Sequence, residues 1–186
     1  MDSAKELLKP GVVAVIPTDT VYGLAARASD IAAVEKLYAL KSRENKPGTL
    51  IAANLDQLVE LGLKKRYLTA VEQFWPGPVS VIIPSADPKL EYLHQGKASL
   101  AVRLPDDKNL IALLKETGPL VTSSANQPGE KPAETVEEAR EYFGDQVDSY
   151  EDGGDLSGRQ PSTIIRIVDD AIEVLREGAV KIKPNE

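Results

Sequence analysis

The sequence predicts an α/β domain built on a large mixed sheet, because short apolar runs rich in β-branched residues alternate with amphipathic stretches of helical period. Clusters of polar residues, glycine and proline fall at the ends of those runs, where open α/β sheets bind ligands. Length sets the scale: 186 residues with 42% hydrophobic content bury one sizeable core but not comfortably two. A single domain over residues 1–186 is therefore expected.

The strand candidates, in order, are Val12 to Ile16, Thr49 to Ala53, Val79 to Ile83, Leu100 to Leu104, Leu120 to Ser123, Thr163 to Val168, Ile172 to Leu175 and Val180 to Ile182. The clearest helix runs from Asp30 to Lys41, with Asp30 as its cap and Ile31, Val34, Leu37 and Tyr38 at helical spacing. Further helices are expected at Ser3 to Lys9, Leu55 to Gly62, Tyr67 to Phe74, Lys108 to Glu116 and Thr135 to Phe143. Thr135 and Glu138 have the spacing of a capping box.

Composition narrows the function. Cysteine is absent, which excludes disulfides, thiolate metal sites and a cysteine nucleophile. Nowhere do eighteen apolar residues run together, and the N-terminus lacks the basic and apolar regions of a signal peptide, so a cytoplasmic protein without membrane contact is expected. The net charge is −7, and residues 137–155 account for it with eight acidic side chains against Arg140. That run reads as a solvated helix and loop. The remainder is neutral overall, without the surplus of Lys and Arg that gripping nucleic acid requires, so any tRNA contact would be weak and local.

Six clusters carry the chemistry. Pro17-Thr18-Asp19-Thr20-Val21-Tyr22-Gly23-Leu24 opens a hydroxyl-rich loop after the first apolar run; it reads equally as a turn. Lys41-Ser42-Arg43-Glu44-Asn45-Lys46-Pro47 gathers three cations at a helix exit, which suits either the helix dipole or a triphosphate held by side chains. No GxxxxGK[ST] loop occurs. Trp75-Pro76-Gly77-Pro78 is a rigid turn that packs and could shape a pocket floor. In Ser99 to Pro105, alternation puts Ser99, Ala101 and Arg103 on one face, where Arg103 needs an anion, either an internal carboxylate or a ligand's. Thr122-Ser123-Ser124-Ala125-Asn126-Gln127-Pro128-Gly129 follows another apolar run, Gln160-Pro161-Ser162-Thr163 opens the strand candidate Ile164 to Val168, and Arg176-Glu177-Gly178 ends the next apolar run. The single histidine, His94, lies in a polar stretch and is expected to be solvated.

In this order the clusters resemble the YrdC/TsaC family of L-threonylcarbamoyladenylate synthases, with its PTDTVYGL, KxRxxxKP, PGP, AVRxP, SAN, PST and RxG motifs, over Val13 to Gly178. The resemblance implies an open, twisted mixed sheet with flanking helices around a concave, positively lined cavity. It implies an ATP-dependent nucleotidyltransferase that joins L-threonine, bicarbonate or CO2 and ATP into threonylcarbamoyl-AMP and pyrophosphate, for modification of adenosine 37 in tRNAs. Carried over by residue, it places Thr20, Arg103, Ser124 and Ser162 on L-threonine. It places Lys41, Arg43, Lys46, Ser99, Asn126, Thr135 and Arg176 around ATP, with Lys41 and Arg43 stabilising the phosphates during reaction. Mg2+ would be held mainly by the phosphates, no protein metal site is implied, and the product would pass to the tRNA threonylcarbamoyl-transferase complex.

The chain departs from the pattern in three places: Arg43 and Lys46 are three apart rather than four, Gly48 and Ile51 stand where Leu and, in some members, His occur, and SANxSG reads SANQPG. Two other function classes compete with this reading. A non-catalytic RNA-binding module is disfavoured by the acidic balance. A carbamoyl-transfer domain of the hydrogenase-maturation type normally accompanies zinc-finger and acylphosphatase segments, which this chain lacks.

Overall fold

The computed structural model describes residues 3–42 and 46–183. Nine strands appear among them: β1 (Ala14–Ile16), β2 (Gly23–Arg27), β3 (Thr49–Ile51), β4 (Val79–Pro84), β5 (Ser99–Arg103), β6 (Leu120–Ser124), β7 (Ser149–Tyr150), β8 (Thr163–Val168) and β9 (Ala171–Arg176). They form one mixed sheet in the order β7-β1-β2-β6-β3-β5-β4-β8-β9. Parallel pairs are β1 with β7, β3 with β5 and β4 with β8; the others are antiparallel.

Around the sheet lie α1 (Ser3–Leu7), α2 (Ile31–Leu40), α3 (Leu55–Leu61), α4 (Lys65–Thr69), α5 (Glu91–His94), α6 (Lys108–Thr117) and α7 (Val136–Phe143). Helix α2 starts where expected, since the Asp30 side chain accepts from Ala33 N at 3.0 Å. The helix expected at Tyr67 to Phe74 begins earlier and breaks: α4 ends at Thr69, and a single 3-10 turn covers Glu72–Phe74. The strand expected at Val180 to Ile182 does not form; Val180 N is satisfied instead by the Thr163 hydroxyl at 3.1 Å. Strands β2 and β7 lie outside the strands that the sequence predicts.

Register explains where a ligand can enter. Cross-strand partners share a face of a sheet, and the row Ala26, Val121, Leu50, Val102, Val81 and Ile165 runs across six strands on one face. This row is buried in the larger core, with Leu37 of α2, Leu58 of α3, Leu68 of α4, Leu93 of α5 and Phe143 of α7. On the opposite face, α1 and α6 cover Ala14, Ile16, Ala25, Ile51 and Leu120 with Ala4, Leu7, Leu110, Leu113 and Leu114. The next row on that face, Thr122, Thr49, Ala101 and Ile82, lies outside that apolar cluster. Apart from Ile82 it is made of small or hydroxylated side chains, and it becomes the floor of a cavity.

Candidate active site

A cavity of about 210 Å3 opens over that row. Its walls come from the loop between β1 and β2 (Thr18, Thr20), the end of β5 (Arg103), the end of β6 (Ser123, Ser124), the segment leading into β8 (Pro161, Ser162) and the end of β9 (Arg176). Five residues expected to bind ligand, Thr20, Arg103, Ser124, Ser162 and Arg176, thus line one cavity from five separate segments. Close approach of backbone seals one corner: a Cβ on Gly48 would lie 2.8 Å from Thr122 O and from Val121 Cγ1, a clash that glycine avoids.

In the threonine-rich loop, Thr18 Oγ1 donates to Val21 O at 2.6 Å and accepts from Thr20 N at 3.1 Å. Thr18 thereby forms the local turn that its residue type favours. Its one proton is spent on Val21, so in the 3.0 Å contact between the hydroxyls Thr20 donates. Thr20 therefore presents lone pairs to the cavity.

Arg103 is 4% exposed and ion-paired through Nη1 with Asp19 Oδ1. Of the two anions open to Arg103, the internal carboxylate is the one present: Asp19 holds one nitrogen, while the guanidinium still forms cavity wall. Arg103 Nε and Asp19 Oδ2 are buried without a hydrogen-bond partner.

Ser162 is held from three sides. Its hydroxyl lies 2.8 Å from that of the fully buried Ser80, and Arg176 Nη2 donates to its carbonyl at 2.7 Å and to its hydroxyl at 3.3 Å. Gly178 lets the chain after β9 lie on this segment; a Cβ there would fall 2.2 Å from Pro161 O.

Lys41 is buried at the exit of α2, and its ammonium donates to Ser124 O (2.8 Å), Asn126 O (2.7 Å) and Asn126 Oδ1 (2.9 Å). Asn126 also accepts from Ser124 Oγ at 2.6 Å and donates to Glu130 O at 2.8 Å. Lysine and asparagine from two distant motifs thus form one polar knot against Ser124.

Other expected site residues are not on the wall. Ser99 shares the face of Ala101 and Arg103, as alternation predicts, yet lies two residues beyond the cavity edge. Thr135 caps α7 by accepting from Glu138 N at 3.3 Å; Glu138 closes the box on Glu134 N at 2.8 Å, one residue earlier than the usual pattern. Lys46 is exposed and directly precedes the wall residues Pro47 and Gly48. Arg43 lies outside the described residues. Ile51 is fully buried under α6 and does not reach the cavity.

The Trp75 turn does not form the floor. It ties strands together, with Trp75 Nε1 donating to Val79 O (2.8 Å), Gly77 N to Leu104 O (2.9 Å) and Thr163 N to Pro78 O (3.0 Å). His94 is 5% exposed rather than solvated, because α5 folds the polar stretch onto the core; its Nδ1 accepts from Gly96 N at 3.2 Å. Two contributors escaped sequence reading. Asp19 sat between threonines as an ordinary turn former, and Ser80 was hidden inside the apolar run Val79 to Ile83.

A profile of the Sua5/YciO/YrdC family, described as telomere recombination, matches residues 6–178. The chain is 35% identical over 186 residues to the threonylcarbamoyl-AMP synthase of Idiomarina loihiensis, covering 96% of this chain and 97% of that one. It is similar in structure to E. coli YciO (TM-score 0.83, 26% identity, covering 98% of this chain and 90% of that one). It is likewise similar to P. abyssi Sua5 in complex with L-threonine, with a TM-score of 0.82 and 27% identity over 95% of this chain; there it spans 53% of the longer chain.

Proposed function

Given that this chain belongs to the Sua5/YciO/YrdC family, we propose that it is a threonylcarbamoyl-AMP synthase acting on L-threonine, bicarbonate or CO2 and ATP. The observation that carries the reading is the meeting of Thr20, Arg103, Ser124, Ser162 and Arg176 on one small cavity. A relative of the same fold is solved with L-threonine. The volume of about 210 Å3 falls below the roughly 300–1,000 Å3 of a drug-sized pocket, so it suits an amino acid, with the nucleotide extending past the rim.

Arg103 takes the threonine carboxylate through the part of its fork that Asp19 leaves unused. The lone pairs of Thr20 accept from the substrate amine, and Ser162, fixed by Ser80 and Arg176, orients the side-chain end. The substrate's ammonium group combines with bicarbonate, releasing water and one proton and forming a carbamate. A carbamate oxygen then attacks the α-phosphorus of ATP in line, and the bond to pyrophosphate breaks. The residues act by positioning and charge neutralisation. Lys41 is placed beside Ser124 and Asn126, where exchange of a carbonyl partner for a phosphate oxygen would bring its charge onto the nucleotide.

Among the described residues no group of three or more His, Cys, Asp or Glu could hold a metal ion. The Mg2+ expected of an ATP-using enzyme would enter with the triphosphate, whose oxygens suit it. No helix of the described residues is long and apolar enough to cross a membrane. A cytoplasmic site of action, handover of the product to a tRNA-modifying transferase and a weak local tRNA contact complete the reading.

The test is product identity. Mass spectrometry of a reaction containing ATP, bicarbonate and isotopically labelled threonine should show labelled threonylcarbamoyl-AMP, and pyrophosphate release should require threonine and bicarbonate together. Equal release with threonine omitted would remove the assignment.

A further inference from the structure

Asp19 and Arg103 form a buried pair whose charges sum to zero, and the pair is only half satisfied, since Asp19 Oδ2 and Arg103 Nε lack partners. A half-satisfied buried network is the costly kind, so stability alone does not account for it. Arg103 forms cavity wall and Asp19 lies directly behind it. Charges removed from water are weakly screened, so the Asp19 carboxylate acts at the cavity through its field.

That field distinguishes ligands by charge. A plain carboxylate arriving at Arg103 adds a second anion and leaves the buried group net negative. An α-amino acid brings an ammonium on the carbon next to its carboxylate, and the sum stays at zero. Thr20, adjacent in sequence and presenting lone pairs, offers an acceptor for the same N–H groups.

We propose that Asp19 is a specificity-determining residue whose charge makes the Arg103 site select zwitterionic α-amino acids over carboxylates that lack the amine. The inference rests on the reading of Arg103 as the partner of the threonine carboxylate. Asp19→Asn is the informative variant, because Asn keeps an oxygen that can accept from Nη1 while removing the charge.

The experiment is titration calorimetry of the full chain with L-threonine and with 2,3-dihydroxybutanoate of matching configuration, in which a hydroxyl replaces the amine. The wild-type protein should prefer threonine by about tenfold or more, and Asp19→Asn should narrow that preference to within about threefold, losing threonine affinity and gaining affinity for the hydroxy acid. Equal affinities in the wild-type protein overturn the proposal while leaving the threonine site standing. Absence of binding by either ligand overturns the threonine site and the proposal with it. A folded Asp19→Asn protein that weakens both ligands equally shows that Asp19 merely holds Arg103 in place, and overturns charge selection. Should Asp19→Asn fail to fold, Asp19→Glu decides: it retains the charge and should retain the preference, and loss of that preference overturns the proposal.

Discussion

A guanidinium that is 4% exposed and shares one nitrogen with a carboxylate couples stability to binding at a single residue. Arg103→Ala strands Asp19 as an unpaired buried anion, which costs about 3–5 kcal/mol of stability. The same change should raise the KM for threonine far more than that for ATP, and melting temperature together with both Michaelis constants on the one variant reads both effects. An unchanged threonine KM in the folded fraction would reduce Arg103 to an internal ion-pair member. Lys41 is the counterpart on the nucleotide side. Lys41→Met keeps the length and removes three donations to Ser124 and Asn126. The phosphate contact that Lys41 gains by exchanging one of these partners is a hydrogen bond to a charged group, worth about 1.5–3 kcal/mol, so pyrophosphate release at saturating threonine should fall by about tenfold or more. Residue type and order made both legible in the sequence; what they could not give was the partner. Asp19 and the Ser124–Asn126 turn are 84 and 83 to 85 positions away in sequence, and only the sheet order brings them together.

At the level of elements, α2 shows sequence reading at its best. Asp30 Oδ1 accepts from Ala33 N while Oδ2 accepts from Gly11 N at 2.7 Å, so one carboxylate caps the helix and pins the turn before β1. Burial pushes its pKa up, but amide donations from Gly11, Ala33 and Ala32 and the charge of Arg27 outweigh it and hold the group below its usual value. A depressed pKa contributes stability above the unfolded-state value, and that contribution is lost as pH falls through the folded one. Asp30→Ala should therefore lower stability by about 1–2 kcal/mol near neutrality, and the gap from wild type should close in acid; chemical denaturation across pH measures it. Gly178→Ala is an element-scale change of another kind. The added Cβ meets backbone at 2.2 Å, so the exit from β9 must move and carry Arg176 off Ser162. A lower melting temperature with a raised threonine KM is expected, and unaltered threonine kinetics would show that the Arg176–Ser162 contact is dispensable. Strand β2 was illegible for a physical reason. Gly23, Leu24, Ala25 and Ala26 are buried on both faces of a crowded sheet, where small residues fit, and Gly and Ala carry no strand propensity to betray them. Strand β7 is two residues long, below what alternation can reveal.

For the molecule as a whole, the mixed sheet with flanking helices follows from alternation and length, whereas the cavity does not. It arises because α1 and α6 cover only part of one sheet face, a fact of packing that no local pattern encodes. A preformed site of this kind binds the native state alone. Threonine at about a hundred times its Kd should add about 2.7 kcal/mol, and at about 2–4 °C per kcal/mol for a chain of this size, thermal unfolding should shift upward by about 5–11 °C. No shift would mean that the cavity does not take threonine and would count against the threonine site. The turn at Trp75 lends itself to the same question by light. The chain has one tryptophan, and its indole N–H is fixed to Val79 O at the point where β4, β5 and β8 are tied together. Its emission therefore comes from a single, structurally defined place beside the strands that form the cavity floor, and intrinsic fluorescence can follow substrate binding in real time without any label being attached.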